Sequence, residues 1–300
     1  MSHWGLFTNS FGKMLHPVLW VYGLLIAVAT GNLGVLFLFN AQTVRNLSKA
    51  TTLQSLQTVF APMAVVLIVL GIIGFVFATF GDAALIYLIN KLEMRERATL
   101  GMGLDGGEKI FQLLTVRVIL ILPNLLVVAL AFTVMWSQLS RINLTARTNP
   151  LSGLFGSFCG IIVIAFVVNL LTSALSVGAE RAIVIEKMSI GKALGLSGKL
   201  LATQLGDFII IGLIFVGLSF LVGIFFSCVG QPLLGLMFSG ASPSAMLSGN
   251  LLTNPIVVLS VSVGLIGNML ATILGTSVWT LAYRQWRADQ LSAPLVDDFA

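Results

Sequence analysis

The chain has 300 residues, of which 57% are hydrophobic and 9% are charged, and its net charge is +5. Soluble domains carry about 25% charged residues, so this composition excludes a surface that is covered by water throughout. The cations are spread thinly and follow the ends of apolar segments, which excludes a nucleic-acid-binding patch and indicates a membrane protein.

Long apolar segments recur along the chain. A helix needs roughly 20 apolar residues to cross a bilayer core about 30 Å thick. Six segments meet this requirement and predict transmembrane helices at 17–39, 62–89, 113–136, 153–178, 208–229 and 256–283. They lack the short alternating pattern of β-barrel strands. We therefore expect an all-α integral membrane fold that forms one transmembrane domain over 1–300, with a cytoplasmic tail at 285–300.

Amphipathic stretches precede three of these segments. Their apolar positions are Trp4, Phe7, Phe11 and Met14 in the first stretch, Leu100, Leu104, Phe111 and Leu114 in the second, and Ile190, Leu194, Leu201 and Leu205 in the third. Such spacing predicts interfacial helices that lie along the inner leaflet. The alternative is that the stretches are cytoplasmic extensions of the spans.

The sequence also contains an internal repeat. Gly81, Gly178 and Gly275 recur at equal intervals of 97 residues, each near the end of an apolar segment. In addition, residues 99–111 align with 189–201 without a gap. We predict three repeats at about 4–90, 99–187 and 189–284, each with an interfacial helix and two spans. Two-span repeats keep their orientation, so a pseudo-threefold axis along the membrane normal is expected.

Loop charges predict the orientation. The cations on one side are Lys13, Lys91, Arg95, Arg97, Lys109, Arg117, Arg181, Lys187, Lys192, Lys199, Arg284 and Arg287, whereas the other side has Arg45, Lys49, Arg141 and Arg147. By the positive-inside rule, both termini are cytoplasmic. This distribution predicts a multi-pass protein of the cytoplasmic membrane.

Three asparagines, Asn124, Asn169 and Asn268, lie near the middle of predicted spans. Pro123 precedes the first of them and removes a backbone hydrogen bond. One interpretation is that these amides form hydrogen bonds between helices. The other is that they line a substrate path beside a kinked helix.

Ionisable residues occur inside or at the ends of the spans, and they are Asp82, Arg117, Glu180, Arg181 and Asp207. Burial of a charge requires a partner or a position near the interface. We expect them to form a ring of ion pairs at the inner leaflet that holds the repeats together. The alternatives are a gate on a pathway and a site for an anionic lipid headgroup.

Catalytic and metal-binding patterns are missing from the sequence. His3 and His16 are the only histidines, and no HExxH, GxSxG or P-loop motif occurs. Cys159 and Cys228 do not form a CxxC pair. We expect no enzymatic activity, no metal and no cofactor.

Three motifs resemble a known family. They are His16-Pro17-Val18-Leu19-Trp20 with Gly23-Leu24-Leu25, Ala179-Glu180-Arg181-Ala182-Ile183-Val184, and Gly206-Asp207. Over most of its length the chain resembles bacterial polytopic membrane proteins related to the membrane domain of glycerophosphoryl diester phosphodiesterases. In that family a separate soluble barrel carries the hydrolytic activity, and this sequence has no His-Arg-Gly motif. The resemblance therefore implies a membrane module without hydrolysis.

These observations favour a non-enzymatic scaffold that interacts with membrane lipids or with other membrane proteins, and not with nucleic acid. Two alternatives remain open at this point. One is a transporter of small molecules or lipids, with a path between the repeats. The other is an accessory subunit of a larger membrane protein complex.

Overall fold

The computed structural model describes residues 3–30, 53–139, 151–240 and 255–292, which are almost entirely helical and contain no strand within these ranges. The α-helices are α1 (His3–Met14), α2 (Pro17–Thr30), α3 (Leu53–Glu93), α4 (Leu100–Gly106), α5 (Ile110–Leu139), α6 (Leu151–Glu186), α7 (Ile190–Thr203), α8 (Leu205–Gly240) and α9 (Pro255–Ser292). A 3₁₀ turn at Gly107–Lys109 joins α4 to α5. The predicted all-helical class is confirmed for these ranges.

Five helical segments are long and apolar enough to cross a membrane. They are Pro62–Glu93, Leu100–Val134, Gly160–Glu186, Leu205–Phe226 and Val258–Ser292. They identify the chain as a multi-pass membrane protein and confirm five of the six predicted spans in that sense. The first predicted span is described only as far as Thr30, and the remainder of 17–39 lies outside the described residues. The helices α1 and α2 meet at 92°, and this bent pair counts as a sixth crossing only if it forms one span.

The chain divides into two compact units, one formed by Met1–Ile110 with Ile209–Ala300 and the other by Phe111–Phe208. In the first unit, α2 packs closely against α3. A Cβ at Gly81 would lie 2.5 Å from Ile26 Cγ1, and one at Gly74 would lie 2.6 Å from the carbonyl oxygen of Ala29. The contact pairs are Ile26 with Gly81 and Ala29 with Gly74, so residue numbers increase along α2 while they decrease along α3. The two helices are therefore antiparallel. Glycine permits the close approach because a larger side chain would separate the backbones.

Helix α9 packs against another face of α2. A Cβ at Gly23 would lie 2.7 Å from Ile273, and the amide of Asn268 donates to Thr30 Oγ1 at 3.4 Å. Thus α9 is antiparallel to α2 and parallel to α3. Ile273, two residues before Gly275, contacts the same turn of α2 that Gly81 contacts. Gly81 of α3 and Gly275 of α9 therefore lie at similar levels, although Gly81 faces Ile26 of α2 and Gly275 faces Phe215 of α8.

Burial is concentrated towards one end of the spans. In α3, large side chains from Val65 to Phe77 are exposed, whereas most residues from Ala83 to Ile89 are buried. In α6, Ile162 and Phe166 are exposed and Ile183 is buried. The buried ends carry the cations that predict the cytoplasmic side. An exposed apolar side chain in a span is expected to contact lipid.

Two helical hairpins have the same construction. Helix α3 is followed by α4 in the first unit, and α6 is followed by α7 in the second. The hairpin turns contain Arg95 with φ 61° and Lys187 with φ 53°, both in the left-handed region. At the first turn, the Glu96 N–H donates to the Lys91 carbonyl at 3.1 Å, which is the terminal bond of a Schellman motif.

The short helix of each hairpin packs back on its span. A Cβ at Gly107 would lie 2.5 Å from the ring of Phe80, next to Gly81. In the other hairpin, Ser197 contacts Gly178 and donates to the Leu175 carbonyl at 2.7 Å. Gly107 and Ser197 are equivalent in the ungapped sequence alignment, and each lies against the span that precedes it, although Gly107 meets Phe80 whereas Ser197 meets Gly178.

Candidate functional site

Asn124 forms a polar contact between two helices of the second unit. Its Nδ2 donates to Thr172 Oγ1 at 3.0 Å, and the Thr172 hydroxyl in turn donates to the Val168 carbonyl at 2.9 Å. Thr172 is buried and Asn124 is half-buried. Pro123 does not end α5, which continues from Ile110 to Leu139. The amide therefore links α5 to α6.

The other two asparagines are both exposed but have different partners. Asn268 links α9 to α2 through Thr30 in the first unit. Asn169 is exposed, and its Oδ1 accepts a hydrogen bond of 3.0 Å from Ser173 of the same helix. Within the described residues, no hydrogen bond joins Asn124 to Asn169. The three asparagines therefore form separate contacts: Asn124 and Asn268 each bond to a neighbouring helix, and Asn169 bonds within its own helix.

Arg117 and Glu180 are brought together in the second unit. Arg117 Nε donates to Glu180 Oε1 at 2.7 Å, and the two side chains are 16% and 10% exposed. Arg181 lies beside Glu180 in the sequence but donates to the Val177 carbonyl of its own helix at 2.9 Å. The arrangement satisfies a carboxylate and a guanidinium that both lie away from water. Asp82 and Asp207 are half-buried, and whether all five groups form a ring stays a prediction.

A second polar cluster, which the sequence did not reveal, lies in the first unit where α1 and α9 meet the C-terminal end of α3. Lys13 of α1 forms an ion pair with Glu93 of α3, and their side chains are 10% and 29% exposed. Arg284 of α9 donates from Nη1 to both oxygens of Asn90, at 3.1 Å each. The two residues of each contact are 80 or more positions apart in the sequence, so no short sequence pattern predicts these contacts.

Burial lowers the pKa of Lys13, which lies in α1 before the spans. The hydrogen bond and charge of Glu93 oppose this effect, while the positive charge of Arg284 adds to it. The cluster therefore contains two cations that repel each other and one carboxylate.

The described residues contain no group of three or more His, Cys, Asp or Glu side chains that could hold a metal ion. Among their polar side chains in the spans, Asn124, Asn268 and Arg117 bond to a neighbouring helix, whereas others such as Asn169 bond within their own helix. Comparison of the chain with protein-family models, curated proteins and solved structures finds no match.

Proposed function

We propose that the chain is a non-enzymatic scaffold of the bacterial inner membrane that binds membrane lipids or partner membrane proteins. The observation that carries this proposal is the use of the mid-span amides. Asn124 and Asn268 each donate to a threonine of a neighbouring helix, Thr172 or Thr30. Amides engaged in this way hold helices together in a medium without water.

The proposed architecture has three two-span repeats around a pseudo-threefold axis, with both termini cytoplasmic. The similar levels of Gly81 in α3 and Gly275 in α9 support the repeat. Gly107 and Ser197, which are equivalent in the sequence alignment, also support it, because each lies against the span that precedes it, α3 or α6. The cation distribution supports the orientation.

Within this proposal, α1, α4 and α7 lie along the inner leaflet. The 92° bend between α1 and α2 is the geometry that a surface helix requires before a span. Trp4 is 72% exposed and Leu104 is 61% exposed, and lipid would cover both side chains. The continuous path from α4 through the 3₁₀ turn into α5 favours the alternative, an extension of the span, for that one helix.

We also propose a relationship to the membrane domain of glycerophosphoryl diester phosphodiesterases. One of the motifs that support it contains Glu180 and Arg181, which are buried between helices. Glu180 and Arg181 are 8% and 4% exposed, and Glu180 is engaged by Arg117. Buried and paired residues of this kind have a packing role, so the proposal includes no hydrolytic activity.

A transporter is the second candidate, because the exposed amide of Asn169 places a polar group on the apolar surface of α6. A proteoliposome experiment separates the two functions. Vesicles containing the wild-type chain, or the triple variant Asn124→Leu, Asn169→Leu and Asn268→Leu, are loaded with a bacterial metabolite extract, and released solutes are identified by mass spectrometry. Empty vesicles provide the background.

A scaffold releases no solute above this background in either form, and the triple variant still inserts and folds. A solute that the wild type releases and the triple variant retains would overturn the scaffold function in favour of transport. Thermal unfolding in detergent shows whether the variant has kept its fold.

A further inference from the structure

Three helices of the first unit meet at the last turn of α3. Lys13 arrives from α1 and pairs with Glu93, while Arg284 arrives from α9 and binds Asn90. Asn90 and Glu93 are three residues apart, so they lie on the same side of α3. The two cations therefore approach adjacent turns of one helix end, which we call the α3 end cluster (Lys13, Asn90, Glu93 and Arg284).

The α3 end cluster has more positive than negative charge. Glu93 compensates Lys13, but both oxygens that Arg284 contacts belong to the neutral side chain and backbone of Asn90. Among the described residues, no carboxylate forms a salt bridge with Arg284. Arg284 is half-buried and the Lys13 side chain is 10% exposed, so water screens this charge incompletely. One negative charge would balance the cluster.

Neighbouring residues indicate the depth of the cluster. Trp20, in the first turns of α2, is 43% exposed and donates from its indole N–H to the Met14 carbonyl at 2.8 Å. Tryptophan is enriched where membrane headgroups meet water. Leu15, next to that carbonyl, is 70% exposed and requires an apolar covering. The cluster thus lies beside residues suited to the headgroup level, an inference that rests on the proposed membrane embedding.

We propose that Lys13 and Arg284 bind the phosphate group of an anionic phospholipid at the inner leaflet. A phosphodiester supplies one negative charge, which matches the excess charge of the α3 end cluster. Both Asn90 contacts use Nη1, so the planar guanidinium has other N–H donors available to phosphate oxygens. The bound headgroup would link α1, α3 and α9 from the outside. A soluble phosphate ester offers the same chemistry, so the experiment must separate the two sources.

The test is native mass spectrometry of the full chain released from nanodiscs with equal amounts of phosphatidylglycerol and phosphatidylethanolamine. The wild type is expected to retain phosphatidylglycerol preferentially. Lys13→Gln and Arg284→Gln should each lower this retention about five-fold, since one cation at the membrane surface contributes about that factor. Lys192→Gln is the matched control, because it removes an exposed cation of α7 in the other unit.

Glu93→Gln distinguishes lipid binding from a purely structural role. Removal of this carboxylate breaks the ion pair but leaves both cations free for phosphate, so retention of phosphatidylglycerol should rise. A structural cluster without lipid would make Glu93→Gln and Lys13→Gln change retention in the same direction. Arg284→Lys keeps the charge and should restore most of the retention lost in Arg284→Gln, which shows that the loss does not come from misfolding.

Competition with millimolar glycerol phosphate identifies the source of the phosphate. Undiminished phosphatidylglycerol binding supports the lipid, whereas displacement would replace the lipid by a soluble ester at this site. Equal retention of the two lipids by the wild type, or no effect of Arg284→Gln, would overturn the site. These outcomes are independent of solute release from proteoliposomes, so the scaffold function and the phosphate site can fail separately.

Discussion

Substitution of Gly74 by alanine tests the close approach of α2 and α3. The new Cβ would lie 2.6 Å from the carbonyl oxygen of Ala29, well inside the roughly 3.5 Å of an ordinary contact. The obstacle is backbone, so no side-chain rotation relieves it and the helices must separate by nearly 1 Å. Overpacking of this kind costs about 1–3 kcal/mol. The higher helix propensity of alanine stabilises the folded state by up to about 1 kcal/mol, which partly offsets the clash.

Gly71→Ala is the matched control, one turn earlier on the same helix. A Cβ at Gly71 has no atom within 4 Å among the described residues, so this variant gains helix propensity without a clash. We expect Gly74→Ala to be less stable than Gly71→Ala by about 2 kcal/mol. Thermal unfolding in detergent micelles, followed by tryptophan fluorescence, measures the difference. Equal stability of the two variants would refute the contact between α2 and α3.

Three further predictions concern individual contacts. Arg117→Met or Glu180→Met alone should lower the free energy of unfolding by about 3–5 kcal/mol, whereas the double variant recovers most of it, as measured by unfolding in detergent. Asn124→Leu should cost about 0.6 kcal/mol, and a double-mutant cycle with Thr172→Val should assign that amount to their hydrogen bond; zero coupling would contradict it. Arg95→Gly should raise stability by about 1 kcal/mol because the residue has φ 61°, and a loss on substitution would show that its charge matters more.

The spans could be predicted from the sequence because bilayer thickness imposes a length on every crossing helix. Gly81, Gly178 and Gly275 each face a neighbouring helix, and whether their equal spacing reflects three repeats stays a prediction.

The ionic contacts could not be predicted in the same way. Consecutive residues of a helix point about 100° apart, so Glu180 and Arg181 face different neighbours despite their adjacency. The partner of Glu180 is Arg117, on another helix. Lys13 and Glu93 pair because the C-terminal ends of α1 and α3 meet, a contact between distant residues that neither sequence position indicates.

The apolar positions predicted to share one face of α1 differ in burial, and the interfacial position of this helix stays a prediction. Trp4 and Phe11 are exposed as a lipid-facing stripe requires, but Phe7 is 2% exposed and packs inside the first unit. Protein interior and lipid both accept an apolar side chain. The pattern therefore locates the apolar side of a helix but does not say which neighbour covers each part of it.

The pairing of α2 with α9 has a consequence for biogenesis. The ribosome delivers α2 early, yet its partner α9 follows more than two hundred residues later. Until then, the groove at Gly23 stays open in the nascent chain, where a chaperone or the insertion machinery could shield it. Truncations that remove the last helix should consequently be degraded rather than accumulate as a shorter protein.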